Sequence, residues 1–276
     1  MSATVNTVLA RCMVDPDYLA LMASDREAAL RGYELDARTR ADFLALDVRR
    51  LIGLATVITK VQNNGLWQWL PYTRALTARY GIEHELFAAF QREHQLLRSG
   101  PRTRDEQTLR FLDFLRAALD EWIPEEMPGL RQVFLHERIL WEIRTALVSP
   151  ATPRPARVPT PNGALRVGFF ACSPSEVIAA IHEERFTPAD VRPAPQWLVY
   201  HGNLEANAVR TLEVDTRAAR ILALADGTRS VAAIAREAGC GSETARQLVA
   251  AAAQAGLIAF FDSSHRSRSH ARPLRR

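Results

Sequence analysis

Residues 208–261, AVRTLEVDTRAARILALADGTRSVAAIAREAGCGSETARQLVAAAAQAGLIAFF, decide the fold. The first seven, Ala208 to Val214, alternate in the two-residue period of a strand. Apolar residues then recur at spacings of three and four through about 216–225 and 230–238. Asp226-Gly227 divides the two stretches, which predicts two short helices and a turn. A third helix runs from Ser242 to Ala255 and ends at Gly256 as a left-handed cap, and Leu257 to Phe261 closes the segment as a short strand. Strand, three helices and strand are the element order of a winged helix. A helix that reads DNA presents basic side chains to phosphates and bases. The third helix here has one arginine, Arg246, and one glutamate, Glu243, on an otherwise uncharged, alanine-rich run.

The charge of the rest of the chain bears on the same point. The 276 residues carry a formal net charge of +4, and the pI is about 9.3. Residues 262–276 hold five arginines (266, 268, 272, 275 and 276) against one acid, Asp262, and so contain the whole excess. Residues 165–261 hold nine arginines against ten acids, a net of −1, so the segment has no electrostatic footprint for phosphate. The tail has almost no apolar content and is expected to be a disordered basic tail. Lys60 is the only lysine.

At 47% hydrophobic and 24% charged residues, the chain is long enough for two domains that each bury a core. No run approaches the roughly 18 to 20 uncharged apolar residues of a membrane span. Met-Ser-Ala-Thr-Val-Asn at the start lacks a basic segment leading into an apolar one. No membrane partner and a cytoplasmic location are therefore expected. Cys12, Cys172 and Cys240 are odd in number and widely spaced, which argues against a disulfide framework and for small buried hydrophobes.

Outward from the deciding segment, the clearest boundary is 149–164, SPATPRPARVPTPNGA, where prolines favour extended, semi-stiff chain. The expected organisation is a helical bundle domain over 1–148, a Pro-rich linker over 149–164, a winged-helix domain over 165–261 and the tail. The fold class is α+β. Helical periodicity marks segments near 4–12, 15–24, 36–63, 71–80, 82–96, 103–122 and 128–147, with Asp15-Pro16 and the capping box Thr103-x-x-Glu106 as starts. Beyond the linker, 165–172 and 196–201 read as strands, and Ser173-Pro174-Ser175-Glu176 starts a helix between them. Residues 202–207 read as a polar hairpin loop.

The chain offers little that resembles catalytic machinery. His84-Glu85 begins like a zinc-binding helix, but the second ligand is due four residues on, where Ala88 stands. Gly239-Cys240-Gly241 follows a helix instead of a strand, so it reads as a turn and not as a dinucleotide loop. No nucleophile elbow or phosphate loop occurs, and no metal ligands or catalytic residues are assigned. Glu137 falls on the apolar stripe Leu130, Val133, Phe134 and Trp141, and so requires an ion-pair partner on the bundle or on another protein. Leu66, Trp67, Trp69 and Leu70 read as core, with a docking patch as the alternative.

A peptide site has a clearer physical basis. With strand 208–214 at a sheet edge beside the third helix, its free N–H and C=O groups could pair with an extended peptide. Small alanines at 250–253 would allow close approach. The competing reading, that the alanines pack against neighbouring helices, stays open.

Ala219 to Gly239, followed by a helix and Ala255-Gly-Leu-Ile258, resembles the PqqD-like RiPP recognition element, a small winged helix that binds leader peptides of ribosomally made natural products. A helical first domain, a Pro-rich link and this module are similar in order to the partner proteins of multinuclear non-haem iron oxidative enzymes (MNIO), as in methanobactin and 3-thiaglutamate biosynthesis. Leu70-Pro71-Tyr72-Thr-Arg-Ala-Leu76 and residues 109–144 look like that first domain. The resemblance implies a non-catalytic adaptor that forms a heterodimer with a TIM-barrel MNIO. It implies no cofactor on this chain, with iron on the partner enzyme. The precursor leader would lie between the third strand, at Val209, Arg210, Thr211, Leu212 and Glu213, and the third helix, at Arg246, Gln247, Val249, Ala250 and Ala253. The runner-up is a winged-helix transcriptional regulator that binds DNA; the charge of the module speaks against nucleic acid.

Overall fold

The computed structural model describes residues 3–94, 103–121, 127–148, 158–203 and 208–260. The chain is mixed α+β with small antiparallel sheets, and it divides into two units, Met1–Glu125 and Glu126–Arg276.

The described residues of the first unit form eight helices: α1 (Ala3–Val14), α2 (Pro16–Ser24), α3 (Arg26–Ala29), α4 (Ala37–Leu44), α5 (Val48–Trp67), α6 (Pro71–Arg79), α7 (Glu83–His94) and α8 (Arg104–Glu121). Aspartates start four of them. The carboxylates of Asp15, Asp25, Asp36 and Asp47 accept from the backbone N–H of Tyr18, Ala28, Thr39 and Arg49, satisfying donors that the first turn leaves free. Thr103 and Glu106 form the expected reciprocal box, N–H to side chain in both directions, at 3.1 and 3.3 Å. The single helix expected over 36–63 is two. Asp47 caps a new start, so the chain leaves helix at 45–47 although Leu46 and Val48 keep the apolar spacing.

Val8, Cys12, Tyr18, Met22, Ala29, Leu30, Phe43 and Leu51 make one core of this unit. Aromatic edges make another, with Trp67 on Phe111 at 4.9 Å and Phe90 on Phe111 at 5.0 Å. Leu66, Trp67 and Leu70 are buried and Trp69 is half-buried, so this group is core.

The second unit begins earlier than expected. Helix α9 (Leu130–Val148) packs on β2 and β3 of the second unit's sheet, and the division falls before it. Apolar period identifies a helix but not the surface it covers, which is why the boundary was expected at 148. The sheet has the order β2 (Ala164–Phe170), β3 (Gln196–Asn203), β4 (Ala208–Val214), antiparallel throughout. Between β2 and β3 lie α10 (Pro174–His182), started by Ser173, and a 3-10 turn at Pro188–Asp190. After β4 come α11 (Thr216–Leu224), α12 (Val231–Glu237) and α13 (Ser242–Gln254), the first two capped by Asp215 and Ser230. Gly256, at φ +74°, ends α13 as expected.

The end of the expected linker is ordered. Thr160–Pro161 (β1) pairs antiparallel with Ile258–Ala259 (β5), and Thr160 is fully buried. Residues 149–157, most of the expected loop at 202–207, Trp122, Phe261 and the tail lie outside the described residues.

The sheet separates two cores. Ala164, Phe170, Leu198, Tyr200 and Val209 face α9, against Leu135, Ile139, Leu140 and Ile143. Leu165, Val167, Val199 and Val214 face the other way, into a cluster with Ile221, Leu222, Ile234, Ala245, Val249, Ala252 and Ile258. The two-residue period of the strands makes this division possible. Among the described residues, no helix is long and apolar enough to cross a membrane.

Candidate functional site

The open edge of the sheet is β4. Within the described residues its one neighbour is β3, with Gly202 opposite Val209, His201 opposite Arg210, Tyr200 opposite Thr211, Val199 opposite Leu212 and Leu198 opposite Glu213. Arg210, Thr211, Leu212 and Glu213 are all exposed, so every second backbone N–H and C=O of this strand points away from β3 toward solvent. Leu212 is 40% exposed, a large apolar side chain on an otherwise polar edge. Alternation assigns the faces. Val209, Thr211 and Glu213 lie on the α9 side, and Arg210, Leu212 and Val214 on the side of α11 to α13. Neither Arg210 nor Glu213 forms an ion pair with a described residue.

Two contacts fix β3, the strand on which this edge pairs. On the α9 side, His136 Nδ1 stands 2.7 Å from the Tyr200 hydroxyl, with the rings edge to face. Burial lowers the His136 pKa from 6.5 to about 4 and raises that of the phenol. The imidazole is therefore neutral, and its hydrogen bond with the phenol ties α9 to the central strand.

On the other side, His201 is 3% exposed, and its Nε2–H donates to the Asn162 carbonyl at 2.5 Å. Gly163 makes this approach possible: its φ is +102°, and a Cβ there would stand 2.3 Å from the Gly202 carbonyl oxygen.

The expected second wall, α13, is placed less simply. It packs chiefly on α12, α11 and β5. Arg246, Gln247 and Ala250 are exposed and Ala253 is half-buried, whereas Val249 is 2% exposed inside the core. Val249 is thus removed from the surface set, because Ala245, Val249 and Ala252 form the inward stripe at spacings of four and three. The question left open by the alanine run resolves by residue: Ala252 packs inward, while Ala250 and Ala251 are exposed. Strand and helix share the cluster through Val214 and Val249. Arg246 pairs with Glu243 one turn earlier, so its charge is partly matched on its own helix.

Two features were not foreseen. Helix α5 leaves Ile52, Leu54, Val57 and Val61 exposed, off its inward stripe, and has no acidic residue. A cavity of about 360 Å³ lies between α10 and the following segment, lined by Cys172, Val177, Phe186, Val191, Arg185 and Arg192. Glu137 is buried and partnered. Cys12 and Cys172 are buried free thiols with raised pKa values, from 9.0 to about 11 for Cys12, and Cys240 is half-buried and also free. Among the described residues, no group of three His, Cys, Asp or Glu is placed to hold a metal ion.

No family model matches the chain, and no curated protein matches it.

Proposed function

We propose that the chain is a non-catalytic adaptor whose second unit, read as a winged-helix recognition element, binds an extended leader peptide by strand addition on β4. The observation that carries this reading is the edge itself. The third strand of the sheet, directly before three helices, has solvent-facing backbone groups and an exposed Leu212. An added strand would satisfy those groups and cover that side chain. The resemblance to MNIO partner proteins extends the proposal: the bound precursor is presented to an iron-dependent oxidative enzyme in a heterodimer, and iron and oxygen chemistry belong to that other chain.

The competing DNA reading gains little support. Residues 165–261 have a net charge of −1, and the one arginine of α13 is paired with Glu243. The deciding experiment coexpresses the chain with a short precursor and a barrel enzyme encoded beside it. Copurification, with slowed hydrogen exchange over 208–214 on adding the precursor, is the expected result. A chain that stays alone, and that shifts duplex DNA at physiological salt with residues 262–276 deleted, overturns the proposal.

A further inference from the structure

The side chains of β4 dictate what an added strand must carry. On the face toward α11 to α13, Arg210 and Leu212 stand side by side, two residues apart; on the α9 face, Glu213 stands next to Leu212 in sequence. All three are exposed, and neither charge is paired with a described residue. A strand laid on this edge places one residue opposite each of them, on the same face as its partner. From this, and resting on the proposed strand addition, we infer that β4 selects peptides with an apolar residue opposite Leu212, a basic residue next to it opposite Glu213, and an acidic residue two positions to the other side opposite Arg210. In the antiparallel sense of the rest of the sheet, the peptide reads basic, apolar, any, acidic.

The spacing follows from the strand period. Residues opposite Arg210 and Leu212 share a face, so they are two apart, and the residue opposite Glu213 is on the other face, one step from the apolar residue. A helical peptide does not place these three groups in register with one edge. A peptide with the charges exchanged places like charges opposite each other, which is unfavourable at directly opposed positions. Exposed pairs of this kind are each worth about a two- to five-fold change in affinity. The preference therefore grades peptides and is screened by salt.

The test uses the full chain. A phage-displayed library of random twelve-residue peptides is panned on it, and enriched peptides are synthesised and measured by fluorescence anisotropy. Binding is measured against the parent protein, Arg210→Glu, the milder Arg210→Gln and Glu213→Lys. Hydrogen exchange over 208–214 is followed with and without peptide.

The expected result has three parts: enrichment of the basic, apolar, any, acidic spacing; roughly tenfold weaker binding to Arg210→Glu at low salt; and recovery when the acidic peptide residue becomes lysine. Peptides that protect β4 but show no charge spacing and no recovery overturn this inference and leave the strand-addition proposal standing. Failure to enrich any peptide, or binding that leaves the exchange of β4 unchanged, overturns both. Circular dichroism of each variant confirms the fold, and Arg210→Gln reads the charge effect should the reversed charge disturb the strand.

Discussion

Lowering the pH from 7 to 5 will loosen the second unit through one imidazole, that of His136. In the folded protein burial holds its pKa near 4, and its neutral ring shares a hydrogen bond with the Tyr200 hydroxyl, Nδ1 to oxygen 2.7 Å. In the unfolded chain the ring titrates at its ordinary value, about 6.5. Between these two values the unfolded state binds a proton that the folded state refuses, so stability falls as the pH falls. The contribution is complete above about pH 6.5, and the loss levels off near pH 4. One proton taken up on unfolding costs about 1.4 kcal/mol for each step of one in pH, so the loss is about 2 kcal/mol by pH 5 and about 3 kcal/mol by pH 4. The substitution His136→Gln keeps a hydrogen-bonding side chain and removes the titration. Urea unfolding of both proteins at pH 7 and pH 5, read by pulsed hydrogen exchange on a peptide covering β3, isolates this unit from the first. Carboxylate titration is common to both proteins and cancels in the difference. Equal losses of stability in parent and variant between pH 7 and pH 5 would refute the reasoning.

Three further outcomes follow from the packing. Val249→Asp places an unpaired charge in the core and costs more than about 3 kcal/mol, whereas Ala250→Asp, one residue on and exposed, stays within about 0.5 kcal/mol; thermal melts separate the two. Gly163→Ala forces a Cβ against the Gly202 carbonyl at a left-handed φ and lowers stability by at least about 1 kcal/mol, visible as a lower urea midpoint. A chain beginning at residue 158 loses α9 and exposes Phe170, Leu198 and Tyr200, so its amide spectrum is poorly dispersed beside that of a chain beginning at 127. Equally dispersed spectra would show that the sheet does not need α9.

Much of this architecture was legible in local signals. Asp15, Thr103, Ser173 and Gly256 mark helix ends by chemistry that acts over three or four residues, and the structure uses them as read. The strand at 208–214 and the three helices after it follow from apolar period in the same way. What was not legible depends on distant partners. The period of α9 is the same whether it covers helices or a sheet, so the boundary at 148 looked natural beside the prolines. The break between α4 and α5 is hidden because Leu46 and Val48 sustain the apolar spacing across Asp47. Thr160–Pro161 pairs with a strand nearly one hundred residues later, which no local pattern announces. In the candidate site, exposure of Arg210 to Glu213 followed from an edge position, but the inward turn of Val249 required the register of α13.

The open edge has a consequence for how copies of the chain meet one another. A two-fold axis that joins two β4 strands into a continuous antiparallel sheet keeps each face on its own side. Arg210 would then meet only Ala208, Arg210, Leu212 or Val214 of the second copy, and Glu213 only Val209, Thr211 or Glu213. In no such register does either charge find its opposite. The strand is therefore an electrostatically unmatched template for itself, with neither charge compensated across such a joint.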